Sequence, residues 1–343
     1  MRRHGPVISV VICCFADERF EDVLDGVEAL RHQTLPPAEI VVVVDHNPAL
    51  LERVRAAVPD VRAVANREPK GSSGARNTGI ASTRGEIVAF FDDDAVPEPD
   101  CLERMVAHYA GEGVVGVGGS VVAGWCTGRP RWFPEEFDWV IGCTYRGLPT
   151  RPAALRNLLG ANMSFRRGAL DIAGGFAAEM ARTGRYPLGV DDTELCIRMR
   201  RKLPGSVLVY APDARVRHKV PATRETWRYF RMRCFAEGLA KAALTTLSGT
   251  DESLSSERSY VVRVLPGGVA RGLRDAVTGK DGAGAERSLA IIAGLLVTAA
   301  GYATGKIQAL RRGTSRPQRF ASPQAEPAAG RMGAEPQSER AVL

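Results

Sequence analysis

Apolar positions along the first 110 residues follow two alternating patterns. "VISVVICCF" at 7–15 is an almost unbroken run rich in Val and Ile, which predicts a parallel strand covered on both faces. "RFEDVLDGVEALRHQ" then spaces Phe20, Val23, Leu24, Val27 and Leu30 as one face of a helix. The pair repeats. "AEIVVVVD" is a second buried strand ending at Asp45, "PALLERVRAAV" a helix and "VRAVAN" a third strand. "GSSGARNTGIAST" is a glycine-rich turn into a helix, "GEIVAFFDDD" a fourth strand and "DCLERMVAHYA" a helix. Such alternation predicts a doubly wound, mostly parallel α/β sheet, whose ligands collect at the C-terminal ends of the strands.

The rest of the chain is less regular. "VVGVGGSVVAG" fits a strand, and residues 125–150 form an aromatic loop with Trp125, Trp132, Phe133, Phe137, Trp139 and Tyr145. "LGANMSFRRGALDIAGGF" reads as a strand and a short helix, and "PLGVDDTELCIRMRRK" as a loop entering a helix. "SVLVYAPDARVRHKV" gives one or two strands, and "ATRETWRYFRMRCFAEGLAKAALTTL" a long amphipathic helix. Residues 288–305 carry no charge, and the tail after 311, rich in Arg, Pro, Gln and Ala, predicts disorder.

Composition narrows the classes. The chain has 343 residues, 45% of them hydrophobic, enough for a real core. Its formal charge of +7 favours an anionic partner. Seven Cys, with neither zinc spacing nor a disulfide framework, suit a reducing cytosol. The N-terminal apolar run is too short for a signal sequence and reads as the first strand. No nucleic-acid module is recognisable, so nucleic acid is not an expected partner.

Asp92, Asp93 and Asp94 stand together where an apolar strand ends. Three adjacent carboxylates repel one another and are costly to desolvate. They suit a hard divalent cation, Mg²⁺ or Mn²⁺, shared with a phosphate; the bland alternative is a solvated turn capping the next helix. Asp191 and Glu194 have the spacing of a helix N-cap pair, which would leave Asp192 facing outward.

In matching order, "ISVVICCFADE", "VVVVD", "NREPKGSSGARNTGI", "FFDDDA", "GANMSFRR" and "GVDDTEL" resemble the motifs of glycosyltransferase family 2, inverting enzymes with the GT-A fold. The resemblance covers about residues 6–245. It departs at Cys13, Cys14, Phe15 and Ala16, where the family has a Pro-Thr-Tyr-Asn-like turn, and at Asp191, where the family has Glu. It implies that Asp45 meets the uracil of a UDP-sugar, that Arg76, Asp92 and Asp93 contact the donor, and that Asp94, with Asp92 and His218, holds the metal. Asp192 is then the base that takes the acceptor's proton, with Asp191 the second candidate. "WFPEEFDWVIGCTYRG" and "HKVPATRETWRYFRMRCFAEGLAKA" resemble more narrowly the archaeal glucosyl-dolichyl-phosphate glucuronosyltransferases, which move a hexuronic acid to a lipid-linked sugar.

The expectation is a hexosyltransferase with a nucleotide-sugar half (1–122), an acceptor and catalytic half (123–245), a membrane-associating helical region (246–310) and a disordered tail (311–343). Residues 198–233 hold eleven Lys/Arg against two acids. Arg224, Arg228 and Arg231 on one helical face are expected to meet lipid phosphate, and 288–305 to attach the enzyme to the cytoplasmic face of the membrane. The alternatives are a transferase that loads a polyprenyl phosphate directly and a nucleotide-sugar-binding protein without catalysis.

Overall fold

A computed structural model describes residues 6–178, 190–248 and 258–311. The disordered-tail expectation, apart from Arg311, and most of the loop before Asp191 lie outside them.

Nine strands form one sheet: β1 (Ile8–Cys14), β2 (Glu39–Val44), β3 (Arg62–Ala65), β4 (Ile87–Asp92), β5 (Ala95–Pro97), β6 (Val114–Trp125), β7 (Ala153–Ala154), β8 (Asn162–Arg166) and β9 (Val207–Val220). The order is β3-β2-β1-β4-β8-β6-β9-β5, with β7 also on β9. β3, β2, β1 and β4 are parallel neighbours, as are β6 and β9; β8 runs antiparallel to both β4 and β6. The 122/123 division falls inside β6, so one sheet passes through both halves of the catalytic region.

The first strands are apolar throughout because both of their faces are covered. Ile8, Val10 and Ile12 of β1 pack with Val23, Val27 and Leu30 of α1 (Phe20–Arg31). Val11 points the other way, toward Val41, Val43 and Ala75 of α3 (Ser72–Ser82). α2 (Pro48–Ala57) starts where Asn47 Oδ1 accepts the Leu50 amide at 3.1 Å and Pro48 occupies the first turn. β9 stays one strand despite Pro212 because a register shift opposite Gly119 and Ser120 accommodates it.

The remaining helices are α4 (Cys101–Ala107), α5 (Arg167–Ala173), α6 (Asp191–Lys202), α7 (Trp227–Ser248), α8 (Leu265–Val277) and α9 (Gly284–Arg311). The aromatic loop is not irregular throughout. Glu135–Ile141 winds into a 3₁₀ turn and wedges Phe137 against Phe230 of α7, with ring centroids 5.2 Å apart. Phe133 meets the same ring at 5.4 Å, and all three rings are buried. This cluster ties the helical region to the sheet.

The uncharged 288–305 segment is the middle of α9, a 28-residue helix long and apolar enough to cross a membrane. Its inner face packs on α7 through small residues. A Cβ added at Gly238 would lie 2.1 Å from the Thr298 carbonyl oxygen, and one at Gly301 would lie 2.2 Å from that of Phe235. Both contacts are backbone, which cannot swing aside. The outer face presents Leu289, Ile292, Leu296, Ile307 and Leu310, all exposed and close to one stripe at helical repeat.

Gly238→Ala is expected to force α7 and α9 apart and to lower stability by about 1–3 kcal/mol or more. Thermal unfolding of the two purified proteins checks this; an unchanged midpoint contradicts the close crossing.

Candidate functional site

The acidic cluster is built by strand pairing. β4 ends at Asp92, the chain turns, and Ala95 opens β5 directly opposite His218 on β9. The Lys219 amide donates to the Asp94 carbonyl at 2.8 Å, which pins the turn. His218 Nε2 thereby stands 3.2 Å from Asp94 Oδ1. Asp92, Asp94 and His218 each offer a ligand atom, and these atoms lie within 4.8 Å of one another. Pairing brings together three residues from two distant stretches of sequence.

Most of the cluster is buried, so its charge needs compensation. Asp93, Asp94 and His218 are buried. Arg19, at the entrance to α1, contacts both Asp93 Oδ1, at 2.6 Å, and Asp94 Oδ2. Arg224 Nη1 lies 3.8 Å from Asp94 Oδ2. Burial pushes the Asp93 carboxyl up to about 7, an effect only partly opposed by Arg19 and reinforced by Asp94 and Asp92. Burial acts on Asp94 in the same direction but is outweighed by the hydrogen bond and charge of His218, then by Arg19 and Arg224. Asp94 is held well below the usual carboxylate range. Asp94 Oδ2 is buried and, for all its nearby charge, has no partner at hydrogen-bond geometry. Two carboxylates and an imidazole whose ligand atoms converge, one carboxylate oxygen being held only by the charge of guanidinium groups, make a donor set that fits a divalent cation.

At the other end, Asp45 is fixed from three sides. Asn66 Nδ2 donates to Oδ1 at 2.6 Å, His46 Nδ1 lies 2.8 Å from the same oxygen, and the Gly71 amide donates to Oδ2 at 2.9 Å. The nearby Cys13 thiol is pushed by burial up to about 12, which leaves it neutral and unsuited to nucleophilic chemistry.

Arg76 of α3 joins the two halves. Its Nη1 donates to Asp191 Oδ2 at 2.7 Å and its Nη2 to Asp92 Oδ1 at 3.3 Å. Ser72 and Ser73 hydroxyls also donate to Asp191 Oδ2, at 3.1 and 3.2 Å. The cap pair expected from the sequence does not form. Val190 is the N-cap of α6, Asp191 is its first residue, and Glu194 is paired with Arg198. A buried guanidinium needs a carboxylate more than a helix end needs a cap, because the helix end can be solvated and the guanidinium cannot. Asp192 faces the cavity. Its Oδ2 accepts the Gly160 amide at 3.0 Å and its Oδ1 accepts the Thr193 amide at 2.6 Å. Gly160 is tightly placed: an added Cβ would sit 3.1 Å from Arg76 Nη2 and 3.2 Å from Asp192 Oδ2, so both side chains would have to shift slightly.

A single cavity of about 990 Å³ is lined by Asp45, Arg76, Asp92, Asp93, Asp94, Asp191, Asp192 and His218. Arg224 also lines it, whereas Arg228 and Arg231 are exposed outside it. Residues not singled out in the sequence line it too. Arg19 had a usable signal, as a cation in a strand-to-helix loop at a ligand-binding end. Tyr229, Arg233, Glu237 and Lys241 had only their four-residue spacing, which does not say which face of α7 is covered.

Comparisons with known proteins agree with this geometry. The profile of glycosyl transferase family 2 matches residues 9–172. The chain is 35% identical, over 70% of its length and 78% of the relative's, to a glucosyl-dolichyl phosphate glucuronosyltransferase of Haloferax volcanii. It is 25% identical, over 67% and 72% of the two chains, to the succinoglycan biosynthesis protein ExoM of Rhizobium meliloti. Among solved structures, the mannosyltransferase PcManGT of Pyrobaculum calidifontis, in complex with GDP-Man and Mn²⁺, superposes with a TM-score of 0.54 at 19% identity. That match covers 86% of this chain and 88% of the other. It establishes the GT-A fold.

Asp191→Ala leaves buried Arg76 with Asp92 alone. The expected loss is about 3 kcal/mol, while Asp191→Asn, which keeps an acceptor for the guanidinium and the two hydroxyls, should lose less. Denaturant titration reads both; an alanine variant as stable as the wild type contradicts the bridging role.

Proposed function

The chain belongs to glycosyl transferase family 2, and on that premise we propose that it is an inverting, metal-dependent hexosyltransferase. It moves a hexose or hexuronic acid from a nucleotide diphosphate, a UDP-sugar, to a saccharide carried on a membrane lipid. One observation carries the reading: the Asp92, Asp94 and His218 cluster and the Asp192 carboxylate line the same cavity.

Each residue then has a task. Asp45, held rigidly by Asn66 and Gly71, accepts from the base of the nucleotide. Arg76, Asp92 and Asp93 contact the rest of the donor. Asp94, Asp92 and His218 hold Mg²⁺ or Mn²⁺, which when bound neutralises the charge on the leaving diphosphate. Asp192 accepts the proton of the acceptor hydroxyl as its oxygen bonds to the anomeric carbon. The bond from that carbon to the diphosphate breaks on the opposite side, so the configuration inverts and the nucleoside diphosphate leaves. The amides of Gly160 and Thr193 and the Thr193 hydroxyl aim the base.

A lipid-linked acceptor is supported by the Haloferax volcanii relative and by the exposed apolar stripe of α9. The stripe and the basic surface of Arg228 and Arg231 suit attachment to the cytoplasmic face of a membrane. The basic face lies outside the cavity, so it serves attachment rather than turnover.

Two variants test the chemistry. Asp94→Ala should abolish Mn²⁺-dependent turnover of a UDP-sugar panel while the protein stays folded; unchanged turnover removes the metal assignment. Asp192→Asn cannot take a proton at neutral pH, so kcat should fall roughly 10²–10⁴-fold with donor affinity preserved, and Tm should fall only modestly, because the amide keeps one of the two accepting oxygens. Near-normal kcat in the folded variant would transfer the role of base to Asp191.

A further inference from the structure

α9 is long and apolar enough to cross a membrane, but its packing decides against crossing. Its inner face is fixed to the rest of the molecule along the whole apolar stretch. Near its start it meets α8, where an added Cβ at Gly284 would lie 2.2 Å from the Gly272 carbonyl oxygen. In its middle, an added Cβ at Gly294 would lie 2.5 Å from the Phe137 ring and 3.0 Å from that of Phe230. Further on, Gly301 abuts the Phe235 backbone, and a Cβ at Gly305 would lie 2.6 Å from that of Ala242. From Gly284 to Gly305 is about 32 Å at the helical rise, the thickness of a hydrocarbon core. Every turn that a spanning helix must place in hydrocarbon is therefore held by α8, the aromatic turn or α7.

Those partners cannot follow α9 into lipid. α7 carries Arg228, Arg231, Glu237 and Lys241, and its Phe230 is locked to Phe133 and Phe137 beside the sheet. Charged side chains are costly in hydrocarbon, and irregular backbone cannot be satisfied there. The outer face is one-sided. Ala300 and Ala303, both exposed, fill the gap between Leu296 and Ile307, so the stripe runs unbroken from Leu289 to Leu310. At 3.6 residues per turn its positions fall within about 80° of one another. Soluble surfaces rarely expose so long an apolar strip without a partner for it. The surrounding charge selects that partner. Within 258–311, five exposed bases, Arg258, Arg263, Arg274, Lys280 and Arg311, stand against one exposed acid, Glu286. A cationic rim attracts anionic headgroups and repels a second copy of itself.

We propose that α9 lies in the plane of an anionic membrane surface and does not cross it, with the Leu289–Leu310 stripe at the boundary between headgroups and acyl chains. The inference rests on the membrane attachment proposed above and specifies its geometry. The catalytic region supplies the polar side that a free amphipathic helix would carry itself. Leu295 and Thr298 of α9 and Leu265 of α8 line the catalytic cavity. The helix that meets the lipid is thus also a wall of the cavity, and it holds that cavity at a fixed height over the membrane.

The test uses the full chain with an epitope at each end, in sealed membrane vesicles from expressing cells. Protease should reach both epitopes or neither, because an in-plane helix leaves both ends on one side. In parallel, the purified protein is titrated with phosphatidylcholine vesicles with and without phosphatidylglycerol. Binding should be at least about tenfold tighter with the anionic lipid. Leu296→Asp, at an exposed position, should weaken it by about tenfold or more while UDP affinity in Mn²⁺ stays within about twofold. Fluorophores on Leu289→Cys, Leu296→Cys and Leu310→Cys, each with Cys126→Ser, should all report one shallow depth. Epitopes on opposite faces overturn the proposal, as does a Leu296 position much deeper than the other two. So does a dimer in lipid-free buffer that Leu296→Asp dissolves, which would assign the stripe to a second copy. Binding to no vesicle at all strikes the attachment itself, and failure of the wild type to bind UDP strikes the transferase reading, so the three failures are distinguishable.

Discussion

Carboxylates cannot be left desolvated and unpaired, and that constraint organises this molecule. Asp92 and Asp191 come from opposite halves of the catalytic region, and Arg76 lies between them with a nitrogen on each. Arg76 and Asp191 are buried, and their charges are stable there only together. Arg76 therefore has a structural task of its own. It sets where α6 begins relative to the end of β4, and so sets where Asp192 stands. Gly160 completes the arrangement, since its missing side chain lets the backbone amide reach Asp192 while Arg76 passes behind. The same accounting holds a few ångströms away, where Arg19, Arg224 and His218 surround Asp94 and still leave one of its oxygens without a hydrogen bond.

The helical region is coupled to this centre. Phe230 of α7 is locked to Phe133 and Phe137, and α9 is locked to α7 through Gly238 and Gly301. A chamber whose walls are α7 and α9 is thus held in fixed relation to the acidic cluster. The acidic cluster and residues of the apolar helix α9 line one cavity.

Much of this was legible in the sequence, for stated physical reasons. β1, β2 and β4 were readable because strands buried on both faces are apolar at every position. Asp45 and Asp92 were readable as acids that end such strands. β5 and β7 were not, since elements of three and two residues exist only through their pairing with β9. The expected cap pair at Asp191 and Glu194 was locally sound and failed because its competitors, Arg76 and Arg198, are tertiary or one turn away. Along α7 the sequence shows cations on more than one face. Arg228 and Arg231 are the more conspicuous, but only the packing shows that Arg233 and Lys241 line the cavity. The uncharged run at 288–305 was ambiguous for a similar reason. Its glycines face α7 and the aromatic turn, while Leu289, Ile292 and Leu296 face outward, a division invisible in hydropathy alone.

The central claim is that the acid groups at the end of β4 form a cation site completed by His218. Anomalous diffraction from crystals grown with UDP and Mn²⁺ tests it most directly. The account predicts a manganese peak within coordination distance of Asp94 and His218, with the nucleotide diphosphate on its far side. A peak elsewhere, or ordered UDP in the cleft with no manganese beside Asp94, would contradict it.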